Sequence, residues 1–310
     1  MVDASFVNEL ISKMIEKDAY EGVFVAGAKP VLRTEAGIYK FKETPLSTED
    51  VIQLLVLLRQ KSKLANTPLD EAGVFSFGVK RLGRFSVEYL QQRGSIVVFL
   101  RRMRDKIPEL RDFIQSREFL PILIHLLGKN GLFVITGTSQ TLNTMMAASI
   151  LTYLSKKREG IIYTLEKPQT HLLRHGRAIF IQREIGTDVG SFQEGISHAL
   201  SLNVDVLYLN DVPDELTLNG VMRAVERGLT VMLAFSSASI PHALMYLENT
   251  SMNTITVREL LSTSLLCVIN PIDIEKSGLK FQWLIRKEDV VNLIRLGNFF
   301  ELEKFIKSSR

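Results

Sequence analysis

The first candidate for chemistry is a run of nine residues, Thr136-Gly137-Thr138-Ser139-Gln140-Thr141-Leu142-Asn143-Thr144. It follows an apolar stretch, Leu132–Thr136, and precedes a helix-like stretch, Met145–Lys156. A glycine-bearing turn from strand into helix offers backbone N–H groups to an anion, and the helix dipole adds to the attraction. The pattern that wraps nucleotide phosphates is G-x-x-x-x-G-K-[ST], whose lysine neutralises them. Here Gly137 and Thr144 fill the first and last places. Leu142 stands where a second glycine would let backbone approach phosphate, and Asn143 stands where the lysine would be. The position fits; the chemistry does not.

Two carboxylates are placed to assist such a site. Glu166 ends the stretch Thr164-Leu165-Glu166 before Lys167-Pro168, and Asp211 follows Tyr208-Leu209-Asn210. Acids at strand ends can hold magnesium or its bound water, and they can equally be leftover features of a fold. In an enzyme reading, Thr144, Glu166 and Asp211 together organise the metal. His171 and His175 have the i, i+4 spacing of metal ligands on a helix. With one cysteine and no H-E-x-x-H they read as single core or surface histidines, and no metal is assigned. The chain has no G-x-S-x-G, so a serine hydrolase has no anchor.

The elements that must position these residues fall into two groups. The chain has 310 residues, 46% apolar and 23% charged, which favours two domains with dry cores. Residues 1–105 read as a small α+β domain. Phe6, Leu10, Met14 and Ile15 share a helix face, and Ser47 with Asp50 forms a capping box before Val51. Short strands are expected over Gly22–Val25, Val31–Thr34, Ile38–Phe41, Val74–Val79, Gly83–Leu90 and Ile96–Arg101. Asp105–Arg111, charged and carrying Pro108, reads as the linker. Residues 106–310 then alternate strand and helix. Strands are expected at Leu132–Thr136, Ile161–Leu165, Ala178–Gln182, Val204–Leu209 and Thr230–Phe235, and Ser191 with Glu194 caps a helix. Continuous apolar strands alternating with helices signal a parallel sheet covered on both faces. A mainly helical tail follows.

Composition excludes several classes. A net charge of +4 is too mild to argue for nucleic acid, and the cluster Arg101, Arg102, Arg104 and Lys106 reads as solvated surface. The lone Cys267 fits a reducing compartment. No secretory signal is visible, and the run Phe119–Leu127 is far too short to cross a bilayer. The expectation is a cytoplasmic protein without direct membrane insertion.

Collinear pieces over roughly 240 residues resemble the motor ATPases of type IV pili and type II secretion. Gly22–Gly37 resembles their early strand pair, and Gly83-Arg84-Phe85, Gln92-Arg93-Gly94 and Phe99-Leu100-Arg101 their arginine-bearing meander. Ile150–Leu154 matches the helix after the phosphate loop, Thr164–Pro168 their T-[IL]-E-D-P acidic box, and Gln182–Gly186 a motif at the family's distance. The resemblance implies an N-terminal α+β (PAS-like) domain, a RecA-like P-loop-type domain with a helical tail, and a cytoplasmic place beside the inner membrane. It implies partners too: further copies of the chain, an intact motor paralogue, or an inner-membrane platform protein of the machinery. It also implies that Arg84, Arg93 and Arg101 reach phosphates on a neighbouring subunit. The departures are systematic. Lys167 and Thr170 replace acids, Asn210-Asp211 replaces Gly-Glu, and Leu229–Ser236 lacks the family's histidine. The expectation is therefore a pseudo-ATPase, a structural or regulatory ring subunit, with ATP or ADP and magnesium binding only weakly. The alternative is an active motor with an unorthodox site.

Overall fold

The computed structural model describes residues 2–34, 36–62, 71–275 and 278–309. The chain divides into two compact units, Met1–Asp105 with Pro168–Leu172, and Lys106–Lys167 with Leu173–Arg310. The sequence reading placed everything after residue 105 in the second unit. Pro168–Leu172 departs from it because Arg104 supplies hydrogen bonds to that segment. The Arg104 N–H donates to the Thr170 carbonyl at 2.8 Å, and the Leu172 N–H donates to the Arg104 carbonyl at 2.9 Å.

Unit 1 contains α1 (Ala4–Glu16), β1 (Glu21–Val25), β2 (Val31–Thr34), β3 (Gly37–Lys40), α2 (Thr48–Arg59), β4 (Ala72–Val79), β5 (Gly83–Gln92) and β6 (Ser95–Arg102). Among the described residues the strands form one antiparallel sheet, ordered β3-β2-β1-β6-β5-β4. α2 starts where Ser47 predicts. The Ser47 hydroxyl accepts from the Asp50 N–H at 3.1 Å, and the Asp50 carboxylate accepts from the Ser47 N–H at 3.1 Å. Apolar residues at helical spacing in α1 and α2, among them Leu10, Met14, Leu54 and Leu58, join Phe24, Phe85, Val87 and Leu100 in one core. Alternation along β5 turns Phe85, Val87 and Tyr89 toward that core and leaves Glu88 on the other face.

Unit 2 contains α3 (Leu110–Phe113), α4 (Phe119–Leu126), β7 (Gly131–Gly137), α5 (Gln140–Lys157), β8 (Gly160–Glu166), β9 (Ala178–Glu184), α6 (Phe192–Ser201), β10 (Val206–Leu209), α7 (Glu215–Glu226) and β11 (Thr230–Ser236). There follow α8 (Ile240–Asn249), α9 (Thr254–Ser264), β12 (Leu265–Glu275), β13 (Gly278–Ile285), α10 (Glu288–Leu296), a 3-10 turn (Phe299–Phe305) and β14 (Lys307–Ser308). The sheet order is β14-β13-β12-β7-β11-β10-β8-β9, parallel from β12 to β9 and antiparallel across β12, β13 and β14. β7 is buried along its whole length, with one apolar cluster on each face of the sheet. That is the pattern expected of a parallel sheet sandwiched between helices.

The tail carries the expected helices and also the pair β12 and β13, which a helical reading of the segment does not separate. Leu265–Ile269 is a continuous apolar run, and such runs in a covered strand lack the alternation that marks a half-exposed one. β12 lies beside β7, so it forms one wall of the turn that follows Gly137. Among the described residues no helix is long and apolar enough to cross a membrane.

An aromatic cluster holds α4 to the far side of the sheet. The Phe119 ring stacks on Trp283 at 4.9 Å and lies 5.2 Å from Phe281, all three fully buried. Phe119→Ala should cost about 3–5 kcal/mol, as expected for truncating a buried aromatic. Chemical denaturation of the full chain measures this, and a loss below about 1 kcal/mol would show that the cluster is not a packing anchor.

Candidate functional site

The turn from β7 into α5 sits at the carboxyl edge of the parallel strands, where open α/β sheets bind ligands. Its local structure follows from its residues. Ser139 is the N-cap of α5, its hydroxyl accepting from the Leu142 N–H at 3.3 Å. Gly137 is required by close approach: a Cβ there would lie 2.6 Å from the Asn270 side chain and 2.8 Å from the Pro271 carbonyl of β12. The glycine that matches the first place of a phosphate loop thus has a packing reason of its own.

Asn143, in the lysine's place, is fully buried. Its Nδ2 donates to the carbonyls of Gly137 at 3.1 Å and Phe235 at 3.2 Å, and lies 3.4 Å from the Gln140 side-chain oxygen. Gln140, one turn earlier on α5, donates from Nε2 to the carbonyls of Asn210 at 3.1 Å and Ala234 at 3.3 Å. The Ser236 hydroxyl donates to Gln140 Oε1 at 2.9 Å. Asn210 extends the network, because its Oδ1 accepts from the Lys167 N–H at 2.7 Å. Three side-chain amides therefore join α5 to the ends of β7, β8, β10 and β11. Asn143 Oδ1 has no hydrogen-bond partner among the described residues.

The remaining loop residues are also committed. Leu142 is half-buried and packs on the apolar cluster that contains Phe133 and Ile135. The Thr144 hydroxyl is buried and donates to the Thr141 carbonyl at 3.2 Å, within the helix. Thr138 is exposed and Thr141 half-exposed.

Glu166 is buried at the end of β8, where its Oε1 accepts from the Thr164 hydroxyl at 3.2 Å. Burial pushes the nearby Tyr208 phenol well above its ordinary range, and the charge of Glu166 adds to the effect, so that hydroxyl stays protonated. Asp211 is half-buried and its Oδ1 accepts from the Val212 N–H at 2.8 Å. Burial raises its carboxyl above the usual value, and the Val212 N–H and the Lys167 ammonium oppose the shift. Lys167 thus brings positive charge to a place where magnesium would need negative charge. The Asn143 amide and the Thr144 hydroxyl are both engaged within the chain.

In unit 1, Arg101 is held by Glu21 at 2.8 Å and by Glu88 at 2.6 Å, and Arg33 also pairs with Glu21, at 2.9 Å. Arg84 is exposed, with one bond to the Ser76 hydroxyl at 2.9 Å. Arg93 lies in the β5–β6 turn with a left-handed φ of 50°, at the end of the hairpin opposite Arg84. The hairpin therefore keeps Arg84 and Arg93 apart, and Arg101 is already charge-paired. His171 and His175 are not on a helix. His171 is buried in unit 1, its imidazole pushed down to about 4 chiefly by burial and then by Arg104. His175 Nδ1 accepts from the Phe180 N–H at 3.1 Å.

The amide network is what sequence reasoning missed. The amides were visible, but the carbonyls they bind lie 70, 92 and 94 residues further along the chain.

No family model matches the chain. It is 26% identical over 220 residues to the type IV pilus ATPase PilU of Pseudomonas aeruginosa, a match covering 71% of this chain and 57% of PilU. The chain thus spans little more than half the length of that relative. It is 24% identical over 276 residues to the type IV pilus retractation ATPase PilT of the same organism, covering 88% of this chain and 79% of PilT. A crystal structure of the pilus retraction motor PilT with bound ADP matches with a TM-score of 0.75 and 26% identity, over 96% of this chain and 88% of that one. The Legionella pneumophila ATPase DotB matches in fold, at a TM-score of 0.75 and 15% identity over 98% of this chain. The architecture is an N-terminal β-rich domain with a RecA-like α/β domain. On these similarities the chain is PilT-like, resembling the motor ATPases of type IV pili in sequence and in fold.

Proposed function

We propose that this chain is a non-hydrolysing member of its family, a structural or regulatory subunit of type IV pilus or related secretion machinery. The observation that carries the reading is the buried Asn143 amide, bonded to the carbonyls of Gly137 and Phe235 where a lysine would face phosphate. Phosphoryl transfer depends on positioning and on charge stabilisation, and losing a single electrostatic donor costs about 3 kcal/mol of transition-state energy. This loop lacks the lysine and the second glycine, Lys167 opposes the metal, and the Thr144 hydroxyl is engaged elsewhere.

In this reading residues 1–105 serve as the N-terminal domain and 106–310 as the RecA-like domain. The partners are further copies of the chain, an intact motor paralogue, or the platform protein that such motors serve. Packing surfaces and phosphate chemistry are separate properties, so assembly survives the loss of hydrolysis. The protein works from the cytoplasmic side without inserting into the membrane.

Purified full-length protein should show no magnesium-dependent ATP turnover above background in a phosphate-release assay. Turnover that disappears in Glu166→Gln would instead establish the alternative, an active motor with an unorthodox site.

The arginines supply the second test. Arginine stays charged at cellular pH and pairs bidentately with phosphate, so a subunit without its own site can still act on a neighbour's. Of the three, Arg84 carries the proposal best, since Arg101 is already bound by Glu21 and Glu88. Adding the chain to an intact paralogue should change that enzyme's ATPase rate, and Arg84→Ala should abolish the change while co-purification persists. If Arg84→Ala and Arg93→Ala alter the rate as fully as the native chain, these arginines are surface charge only.

A further inference from the structure

β9 ends the sheet of unit 2, since the strand order among the described residues closes on β8-β9. A strand in that place bonds one neighbour, and its other side presents N–H groups on which a further strand can build. The composition of β9 invites such pairing. Ala178-Ile179-Phe180-Ile181-Gln182 is uncharged, rich in β-branched and aromatic residues, and without proline or glycine, the kind of run that pairs between chains. Ile179 is 58% exposed.

Two surface side chains occupy that side. The Phe180 N–H donates to His175 Nδ1 at 3.1 Å, and the Glu184 N–H donates to Asp188 Oδ2 at 2.9 Å. Both acceptors lie outside the sheet, and the donors are four residues apart, which puts them on one side of an alternating strand. The approach to β9 is held there as well. The Leu173 N–H donates to Gln182 Oε1 at 2.9 Å, and the Gly176 N–H to the Ala178 carbonyl at 3.1 Å. These contacts join 173 to 182, 175 to 180 and 176 to 178, so the incoming segment runs back along β9. Two of the three use side chains, and the segment does not extend the sheet. Arg177 and Arg183 bracket the uncharged run, but Glu159 holds the first at 2.7 Å and the Tyr163 hydroxyl the second at 3.0 Å. Protection of the edge therefore falls to His175 and Asp188. Both are exposed, so neither is needed to fill the core.

We propose that His175 and Asp188 are plugs of the β9 edge, which take its outward N–H groups and keep a second copy of the chain from adding its own β9 there. The inference goes beyond the question of hydrolysis and uses contacts of unit 2 alone. An incoming strand would exchange two side-chain bonds for a backbone ladder and would cover Ile179, so the edge favours pairing once the plugs are gone.

The test is amide hydrogen exchange with sedimentation velocity on the full chain, native and with His175→Ala and Asp188→Ala together. In dilute solution the Phe180 and Glu184 amides of the variant should exchange about tenfold faster than in the native chain, the scale of one lost hydrogen bond. At roughly a hundredfold higher concentration they should regain that protection while the variant sediments as dimers or larger species, since pairing follows mass action. The native chain should show no concentration dependence at these two amides. Unchanged exchange in the variant overturns the proposal, and so does faster exchange that concentration does not reverse. Heavier species without regained protection at Phe180 and Glu184 also overturn it, because the copies then meet elsewhere. Asp188→Asn keeps an oxygen acceptor and should hold the native rate at Glu184; a rise there equal to that of the alanine variant counts against the plug. Core amides such as Leu207 and Val231 report on folding. If the double variant loses protection there, His175→Ala alone decides the matter through Phe180.

Discussion

A buried side-chain amide must find hydrogen-bond partners or lose about 1–3 kcal/mol for each group left dry. At the turn between β7 and α5 the Nδ2 of Asn143 meets that demand by donating to the carbonyls of Gly137 and Phe235, while its Oδ1 has no partner among the described residues. Those carbonyls lie at the ends of neighbouring parallel strands, so one side chain fixes the turn to two strands at once. Gln140 repeats the device one turn earlier, toward the ends of β10 and β11. Much else about the site follows from this constraint. Gly137 must lack a Cβ to lie against Asn270 and Pro271, and the half-buried Leu142 packs against the apolar cluster beside it.

An ammonium buried at this place without an anion would bear a desolvation penalty of several kcal/mol, so a lysine loop is only complete when phosphate arrives. A neutral amide carries no such debt. It completes the loop from within the chain, using strand-end carbonyls that folding supplies anyway. Lys167 fits the same logic: its positive charge lies near Asp211 and draws that carboxyl down against the effect of burial. The strand ends are held by hydrogen bonds between neutral groups, which need neither metal nor nucleotide.

Much of the fold was legible in the sequence because its elements carry strong local signals. The capping pairs at Ser47 and Ser191, the alternation along β5 and the apolar strands at Leu132, Ile161 and Thr230 all report backbone structure within a few residues. β12 was not separable from the helical tail, since a strand covered on both faces has no period to read. The excursion of Pro168–Leu172 was likewise invisible, because its partner, Arg104, lies more than sixty residues earlier. At the site, the loss of the lysine and glycine could be read directly. What replaced them could not, as amide-to-carbonyl pairing is decided by the register of strands far apart in the chain. Arg101 shows the same limit. Its type suits a phosphate, and only the sheet register reveals Glu21 and Glu88 beside it.

The central claim is that the amide network completes the loop that phosphate would otherwise complete. Calorimetric titration of ATP, with magnesium present, into the native full-length chain tests it most directly. The loop offers phosphate neither an ammonium nor a second glycine, so heats of binding should not saturate below millimolar nucleotide. A saturable titration with a micromolar dissociation constant would contradict the claim, since it would mean that phosphate still finds its donors in this loop.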